Sequence, residues 1–178
     1  MRVAAAGALG VFAGGPVQAS LARAVAVEEL VGRSRHVLLA EPLDADSVWE
    51  RVGQRKHIVT YTRVRTLDVL AGDDPQQEEL MLRTLGGRVG ELGELVHGEA
   101  ILNLGERSVL FVMPTSSALA ITAMAQGHYP LARDKAGAER LLRSPQAVEL
   151  VHEELGAVRR LTGLDVPSAR ALLRQVKR

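Results

Sequence analysis

The run His57–Gly72, "HIVTYTRVRTLDVLAG", constrains the fold more than any other stretch of the chain. Ile58, Thr60, Thr62 and Val64 fall on one side of an extended chain, and Val59, Tyr61, Arg63 and Arg65 on the other. A period of two held this long cannot form the face of a helix and predicts a long β-strand. The apolar spacing slips before Leu67, Val69 and Leu70, as a bulge in a bent strand would make it do. "HVLLAEPL" before it reads as a strand interrupted at Pro42, at an edge or a bulge, with "SVWE" continuing it and "RVGQRK" as a turn. "GDDPQQ" reads as a turn, and "EELMLRTL", "VLFVMP" and "SSALAITAMAQGHYPL" supply further strands. About five or six strands separated by short turns predict a small, closed or nearly closed antiparallel barrel. Aromatic residues make up only 3% of the chain, so its core is built from Val, Leu, Ile and Ala.

Helical periodicity flanks this β region. Leu21, Ala24, Val27, Leu30 and Val31 recur at helical spacing between a capping Ser20 and Gly32. After Arg133 the texture predicts helices throughout: "GAERLLRSP", then a stripe of Val148, Val151, Leu155 and Val158 ending at Gly163. A last helix would be capped by Asp165, with Pro167 in its first turn and Ala169, Leu172, Leu173 and Val176 on its apolar face. Arg170, Arg174, Lys177 and Arg178 would project from the other side, as a solvated basic face suited to a helix C-terminus. The expected class is therefore α+β with a mainly β core: a small antiparallel barrel with an N-terminal helix and C-terminal helices. The expected division is a leader over 1–19, a barrel domain with its leading helix over 20–133, and a helical appendage over 134–178.

The leader is read from "MRVAAAGALGVFAGGPVQAS". Arg2, a short apolar run from Val3 to Gly15, and small residues around Ala19 have the layout of a secretory signal peptide, with cleavage expected between Ala19 and Ser20. The run is too short for a transmembrane helix, so no stable membrane span is expected after cleavage. A secreted or periplasmic location follows. The formal net charge of +1 gives no whole-chain argument for nucleic-acid or membrane binding. With no cysteine, the chain has no disulfide, thiol nucleophile or Cys-ligated zinc.

The candidate recognition segment is "TLGGRVGELGELVHGE", residues 84–99. It is not a phosphate loop. A Walker loop requires a Gly-Lys-Ser/Thr ending, and a dinucleotide fingerprint requires a helix packed behind its glycines. Neither pattern occurs, and Glu91, Glu94 and Glu99 would repel an anion. No cofactor is expected. The glycines predict a connection between strands with positive φ at some positions, and Gly86, Gly87, Arg88, Gly90, Glu91, Gly93 and His97 are the candidate recognition residues. His36, His57, His97, His128 and His152 are dispersed without metal-ligand spacing, although His97 with Glu94 and Glu99 forms a conceivable site. Ser116 and Ser117 lack a nucleophile-elbow context. "YTRVR" alone suggests strand-borne stacking and charge, which excludes a committed nucleic-acid surface.

Ile58-Val59-Thr60, Leu70-Ala71-Gly72, Gly86-Gly87-Arg88-Val89-Gly90, Gly105-Glu106 and Gln126-Gly127-His128-Tyr129 follow one another in an order that resembles a group of uncharacterised secreted bacterial proteins. The resemblance covers roughly 34–131. It implies an oligonucleotide/oligosaccharide-type barrel similar to netrin-like and metalloproteinase-inhibitor domains, and brings no known activity with it. The zinc-chelating N-terminal Cys of those inhibitors has no counterpart here, and Ala71 stands where the group carries Lys. The functional expectation is an exported, non-catalytic binding or envelope-associated module that meets an unidentified protein or envelope partner. The alternatives are a secreted hydrolase joining His97 or His128 to Ser116 or a nearby carboxylate, and a peptidase inhibitor acting through loop 86–98.

Overall fold

The structure is a computed structural model and describes residues 21–176. The expected leader, its cleavage site and the Ser20 cap lie outside those residues. The chain begins with β1 (Leu21–Arg23) and α1 (Val27–Arg33), followed by β2 (His36–Val52) and β3 (Arg55–Gly72). Next come β4 (Glu79–Leu85), the short strands β5 (Gly87–Val89) and β6 (Leu92–Glu94), then β7 (Ser108–Pro114) and β8 (Leu119–Ile121). A 3-10 turn, Met124–Gly127, leads into β9 (His128–Arg133), β10 (Glu139–Leu141) and β11 (Glu149–Val151), before α2 (Ala157–Leu161) and α3 (Val166–Val176).

The class is α+β and strand-rich, as expected, but the strand count is higher and the layout differs. Seven strands form one sheet in the order β10-β9-β7-β2-β3-β4-β8. Its pairings are antiparallel except for the bridge Leu82↔Leu119 between β4 and β8. Strand β8 also pairs with β7, from Val112↔Ile121 to Pro114↔Leu119. Strands β1 and β11 make a separate parallel pair, and β5 and β6 a small hairpin.

The long alternating run forms β3, and the slip in its pattern is a pair of bulges. Leu38 pairs with Val69 and Val37 with Ala71, which leaves Leu70 over; Leu39 pairs with Asp68 and Ala40 with Thr66, which leaves Leu67 over. A third shift, between Pro42↔Val64 and Asp44↔Arg63, leaves Leu43 over on β2. Pro42 does not break β2. Strand β7 pairs with β2 only from His36 to Ala40; beyond it the Pro42 carbonyl accepts the Gly105 N–H at 2.8 Å, and the missing Pro42 N–H loses no bond to β7.

Each face of the sheet carries its own core. Val37, Leu70, Val109, Phe111 and Tyr129 pack under the helices. Leu38, Ala40, Val64, Leu82, Leu110 and Val112 pack on the opposite face, under Ile121 and Ala100. Adjacent residues therefore serve opposite cores, as the pleat requires. Phe111 and Tyr129 meet edge-on, with ring centroids 5.9 Å apart.

The C-terminal expectation is partly overturned. "GAERLLRSP" contains β10 and the Val148–Val158 stripe contains β11, where helices were expected. Both are strands because of distant partners: β10 pairs with β9, and β11 with β1 at the other end of the chain. The expected N-terminal helix likewise starts only at Val27, its first turn being β1. The last helix forms as expected. Asp165 Oδ1 accepts the Ser168 N–H at 2.8 Å, and Ala169 and Leu173 are buried. This tail is no separate appendage, since Leu141, Leu161, Ala169 and Leu173 share one core with Val37 and Val109. Arg170 is also not simply solvated: it binds Asp68 and donates to Val69 O of β3.

Leu173 has no exposed surface. Leu173→Ala is expected to destabilise the fold by about 2–5 kcal/mol. Leu142→Ala, at a side chain that is 43% exposed, is expected to stay within about 0.5 kcal/mol of the parent. Urea unfolding of the two variants against the parent checks both.

Candidate functional site

The glycine segment folds as a hairpin held against the far half of the β2–β3 ribbon. Its entry leaves no room for a side chain. Gly86 donates its N–H to Ile58 O at 2.7 Å, and its carbonyl accepts the Thr60 hydroxyl at 2.7 Å. Gly87 has φ +129°, and a Cβ there would lie 2.2 Å from Thr60 Oγ1 and 2.6 Å from Ser47 Oγ. Only glycine satisfies both the dihedral and the contact. Gly90, with φ +60°, makes the turn between β5 and β6. Arg88 Nε donates to the Gly90 carbonyl at 2.9 Å, and the Arg88–Glu91 pair is too exposed to contribute much.

Glu94 anchors the returning strand. Its Oε1 lies 2.6 Å from His57 Nδ1 and its Oε2 accepts the Ile58 N–H at 2.6 Å. Both contacts hold this carboxyl below the usual range, the His57 bond most. The structure thus gathers Gly86, Gly87, Arg88, Gly90, Glu91 and Gly93 on one hairpin. His97 lies beyond it, exposed, and the histidine that Glu94 meets is His57. Among the described residues no group of three or more His, Asp or Glu side chains is placed to hold a metal ion.

Beneath the hairpin is a cavity of about 270 Å³. Thr60, Thr62 and Thr84 supply hydroxyls, Glu99 supplies a carboxyl, and Leu85, Leu95, Val96, Ile101 and Leu102 supply apolar wall. The hydroxyls follow from strand register. Ser47, Thr60 and Thr84 stand directly opposite one another across β2, β3 and β4, and Thr62 is one pleat further along the same face of β3. Thr60 uses its proton on Gly86 O, so Ser47 is the donor in the 2.9 Å bond between them. Thr62 and Thr84 are only 2% and 7% exposed, although the fully buried side-chain oxygens without a hydrogen-bond partner among the described residues are Thr66 Oγ1 and Tyr129 OH rather than theirs. Burial pushes the Glu99 carboxyl up, opposed by the Ala100 and Leu85 N–H groups and by the charge of Arg83. Leu95 and Ile101 line the cavity and remain exposed at its rim.

Thr60 and Thr62 are absent from the residues expected from sequence, and Thr84 and Glu99 are the ends of the candidate segment without being among its recognition residues, Glu99 entering only beside His97 and Glu94. The available signal was the polar pair Thr60 and Thr62 on the face of β3 that Ile58 and Val64 mark as buried.

His128 lies elsewhere, sealed between β7 and the segment after β10. Its Nε2 is 3.1 Å from Ser108 Oγ and its Nδ1 is 3.1 Å from Ser144 Oγ. One serine donates to the bare nitrogen and the other accepts the ring N–H. Desolvation lowers its pKa to about 4, so the ring is neutral at neutral pH. With 1% exposure it ties elements together where no substrate reaches it. Ser116 lies in the exposed turn closed by Thr115 N and Ala118 O. His128 and Ser116 are not brought together.

Comparison of the chain with protein-family models, curated proteins and solved structures found no match.

Two pH effects follow, with signs fixed by the direction of each shift. The folded pKa of Glu94 is depressed, so its contribution is present above the unfolded carboxylate value and is lost as pH falls through the folded one. Amide protection factors in residues 87–94, taken relative to the intrinsic rate at each pH, are expected to fall on acidification in the parent and to be low at all pH values in Glu94→Gln. His128 is also depressed. Its contribution is complete above the unfolded value of 6.5 and declines from there to about 4, with a slope of about 1.4 kcal/mol per pH unit. Denaturant unfolding between these limits is expected to show a shallower pH slope in His128→Gln. Gly87→Ala is expected to cost about 1–3 kcal/mol from backbone strain alone, read by the same unfolding experiment.

Proposed function

We propose that the chain is an exported, non-catalytic binding module whose recognition end is the glycine hairpin with the cavity under it. The observation that carries this reading is the composition of that cavity: the hydroxyls of Thr62 and Thr84, a desolvated carboxyl and an apolar rim in one concave site. Binding sites combine an apolar lining with a few convergent polar groups in this way. The hairpin supports the reading too, since Gly87 and Glu94 fix both its ends to the sheet while Arg88 and Glu91 face solvent. His57, the histidine beside the site, is committed to Glu94, which favours binding over general acid–base chemistry.

The pairings around β7, β2, β3, β4 and β8 return to β7, and this favours reading that part of the sheet as a small OB-like barrel, in keeping with the resemblance to secreted bacterial proteins. Export rests on the signal-like pattern of Arg2, Val3–Gly15 and Val17-Gln18-Ala19. No helix among the described residues is long and apolar enough to cross a membrane.

Leu95→Ser with Ile101→Ser tests the site at side chains that are 68% and 43% exposed. In quantitative capture from the native envelope fraction, the parent is expected to retain material that the double variant loses, with unfolding midpoints unchanged. Equal retention by both overturns the assignment of the site. Cell fractionation with N-terminal sequencing tests export. A mature chain starting at Ser20 outside the cytoplasm is expected, and a cytoplasmic chain starting at Met1 overturns export.

A further inference from the structure

Three acceptor groups line the cavity, and among the described residues no cationic side chain lines it with them. Thr62 and Thr84 lie on the diagonal of neighbouring strands, a relation that in sheets sets Cβ atoms somewhat closer than about 7–8 Å. Two hydrogen bonds of roughly 2.9 Å to one shared donor atom span that gap. Glu99 lines the third side; its carboxyl meets the Ala100 and Leu85 N–H groups but no side-chain partner among the described residues, whereas the other carboxyl on the lining, Glu94, is taken by His57 and the Ile58 N–H. Arg83, the nearest cation in charge terms, is turned to Glu50 at 3.0 Å. The remaining wall is hydrocarbon, from Leu85, Leu95, Val96, Ile101 and Leu102.

We propose that this cavity binds a primary ammonium group, its N–H donors taken by Thr62 Oγ1, Thr84 Oγ1 and the Glu99 carboxylate and its carbon chain by the apolar wall. This rests on the reading of the cavity as a recognition site and names its ligand class. An –NH₃⁺ group carries three donors and no acceptor, which matches three acceptor groups. An inorganic cation would use the oxygens and leave the leucines and Ile101 facing water. A neutral alcohol would fill the hydrocarbon part and bring no charge to the Glu99 carboxylate. An anion meets Glu99 and is repelled. The volume of about 270 Å³ suits a short chain such as an alkylamine or the side chain of a lysine.

The threonines sharpen the argument. Valine has the same shape, and Val64 and Leu82 already occupy neighbouring positions of the same buried face. Hydroxyls at 62 and 84 keep two hydrogen-bond acceptors on the cavity wall where valine would leave hydrocarbon, and an ammonium ligand would use them.

The test is a ligand titration of the full-length chain followed by ¹H–¹⁵N spectra. The probes are n-butylammonium, n-butanol, tetramethylammonium and potassium ion. Butylammonium is expected to shift the amides of Thr62, Thr84 and Glu99 saturably, with Kd in about the millimolar range for so small a ligand. Butanol lacks the charge and tetramethylammonium lacks the donors, so neither is expected to shift them. Glu99→Gln is expected to weaken butylammonium about tenfold or more. Thr62→Val and Thr84→Val are expected to weaken it while leaving the unliganded unfolding midpoint equal or higher, an outcome that separates lost binding from lost folding. Equal shifts with butanol, tetramethylammonium or potassium overturn the proposal, as does unchanged affinity in Glu99→Gln.

Nα-acetyl-lysine methylamide and its Nε-acetylated form distinguish the source of the amine. Tighter binding of the first than of butylammonium, abolished in the second, assigns the site to a lysine side chain of a partner protein. Binding of butylammonium alone assigns it to a free amine. If no amine binds but the Leu95→Ser/Ile101→Ser pair still loses its envelope capture, the ammonium assignment fails and the binding-module reading stands.

Discussion

The bend in the β2–β3 ribbon is the constraint on which the rest of the structure depends. A flat ribbon of this length has two faces to cover and a long free edge. Three register shifts, at Leu70, Leu67 and Leu43, turn it instead, since each bulge increases the local twist. The half near His36 and Gly72 lies under the helices through Val37 and Leu70, and its other face packs through Leu38 and Ala40 under Ile121. Beyond Ala40, β2 leaves β7, and the ribbon continues with β3 and β4 alone. That departure creates the free end at which the cavity forms.

Ribbon and hairpin depend on each other. Past the last bulge the inward face becomes polar, with Thr62, Thr60 and Ser47 in place of Val64 and Ala40. Such a face needs partners. The hairpin supplies them as backbone: Gly86 O takes the Thr60 proton, Gly86 N reaches Ile58 O, and Glu94 closes the Ile58 N–H. Backbone approaches this closely only where Gly87 removes the Cβ. On the outer face of the same strands, Arg63 bridges Asp44 and Glu79, and Arg83 meets Glu50 beside the Tyr61 hydroxyl. The first group is largely exposed and contributes little, so the end of the ribbon is held chiefly from its inner side.

Sequence made the ribbon legible because its signal is local. A period of two in His57–Gly72 and a break in that period are properties of the segment itself, and both became structure. The C-terminal stretch failed for the complementary reason. Val148, Val151, Leu155 and Val158 fit a helical period, and nothing within the segment says that residues 149–151 will meet residues 21–23. A short apolar pattern is ambiguous, and a partner more than a hundred residues away decides it. The site was legible at its rim only. Glycine spacing located the hairpin and excluded phosphate, whereas the cavity floor is assembled from Thr62, Thr84 and Glu99, which register and a long loop bring together.

Glu99 shows why such a floor is informative. In the glycine segment it reads as one more acidic residue that would repel an anion. In the structure it is the carboxyl that burial pushes toward protonation, held by two backbone N–H groups and a guanidinium on the other face of the sheet. Glutamine would keep the hydrogen bonds of that position without the desolvation of a charge, as valine would keep the volume at 62 and 84. Positions 62, 84 and 99 thus place two hydroxyls and a carboxyl on the wall of one cavity whose other lining is largely apolar. On the proposal that this cavity takes a ligand, such a wall calls for one that brings hydrogen-bond donors at one end and hydrocarbon at the other.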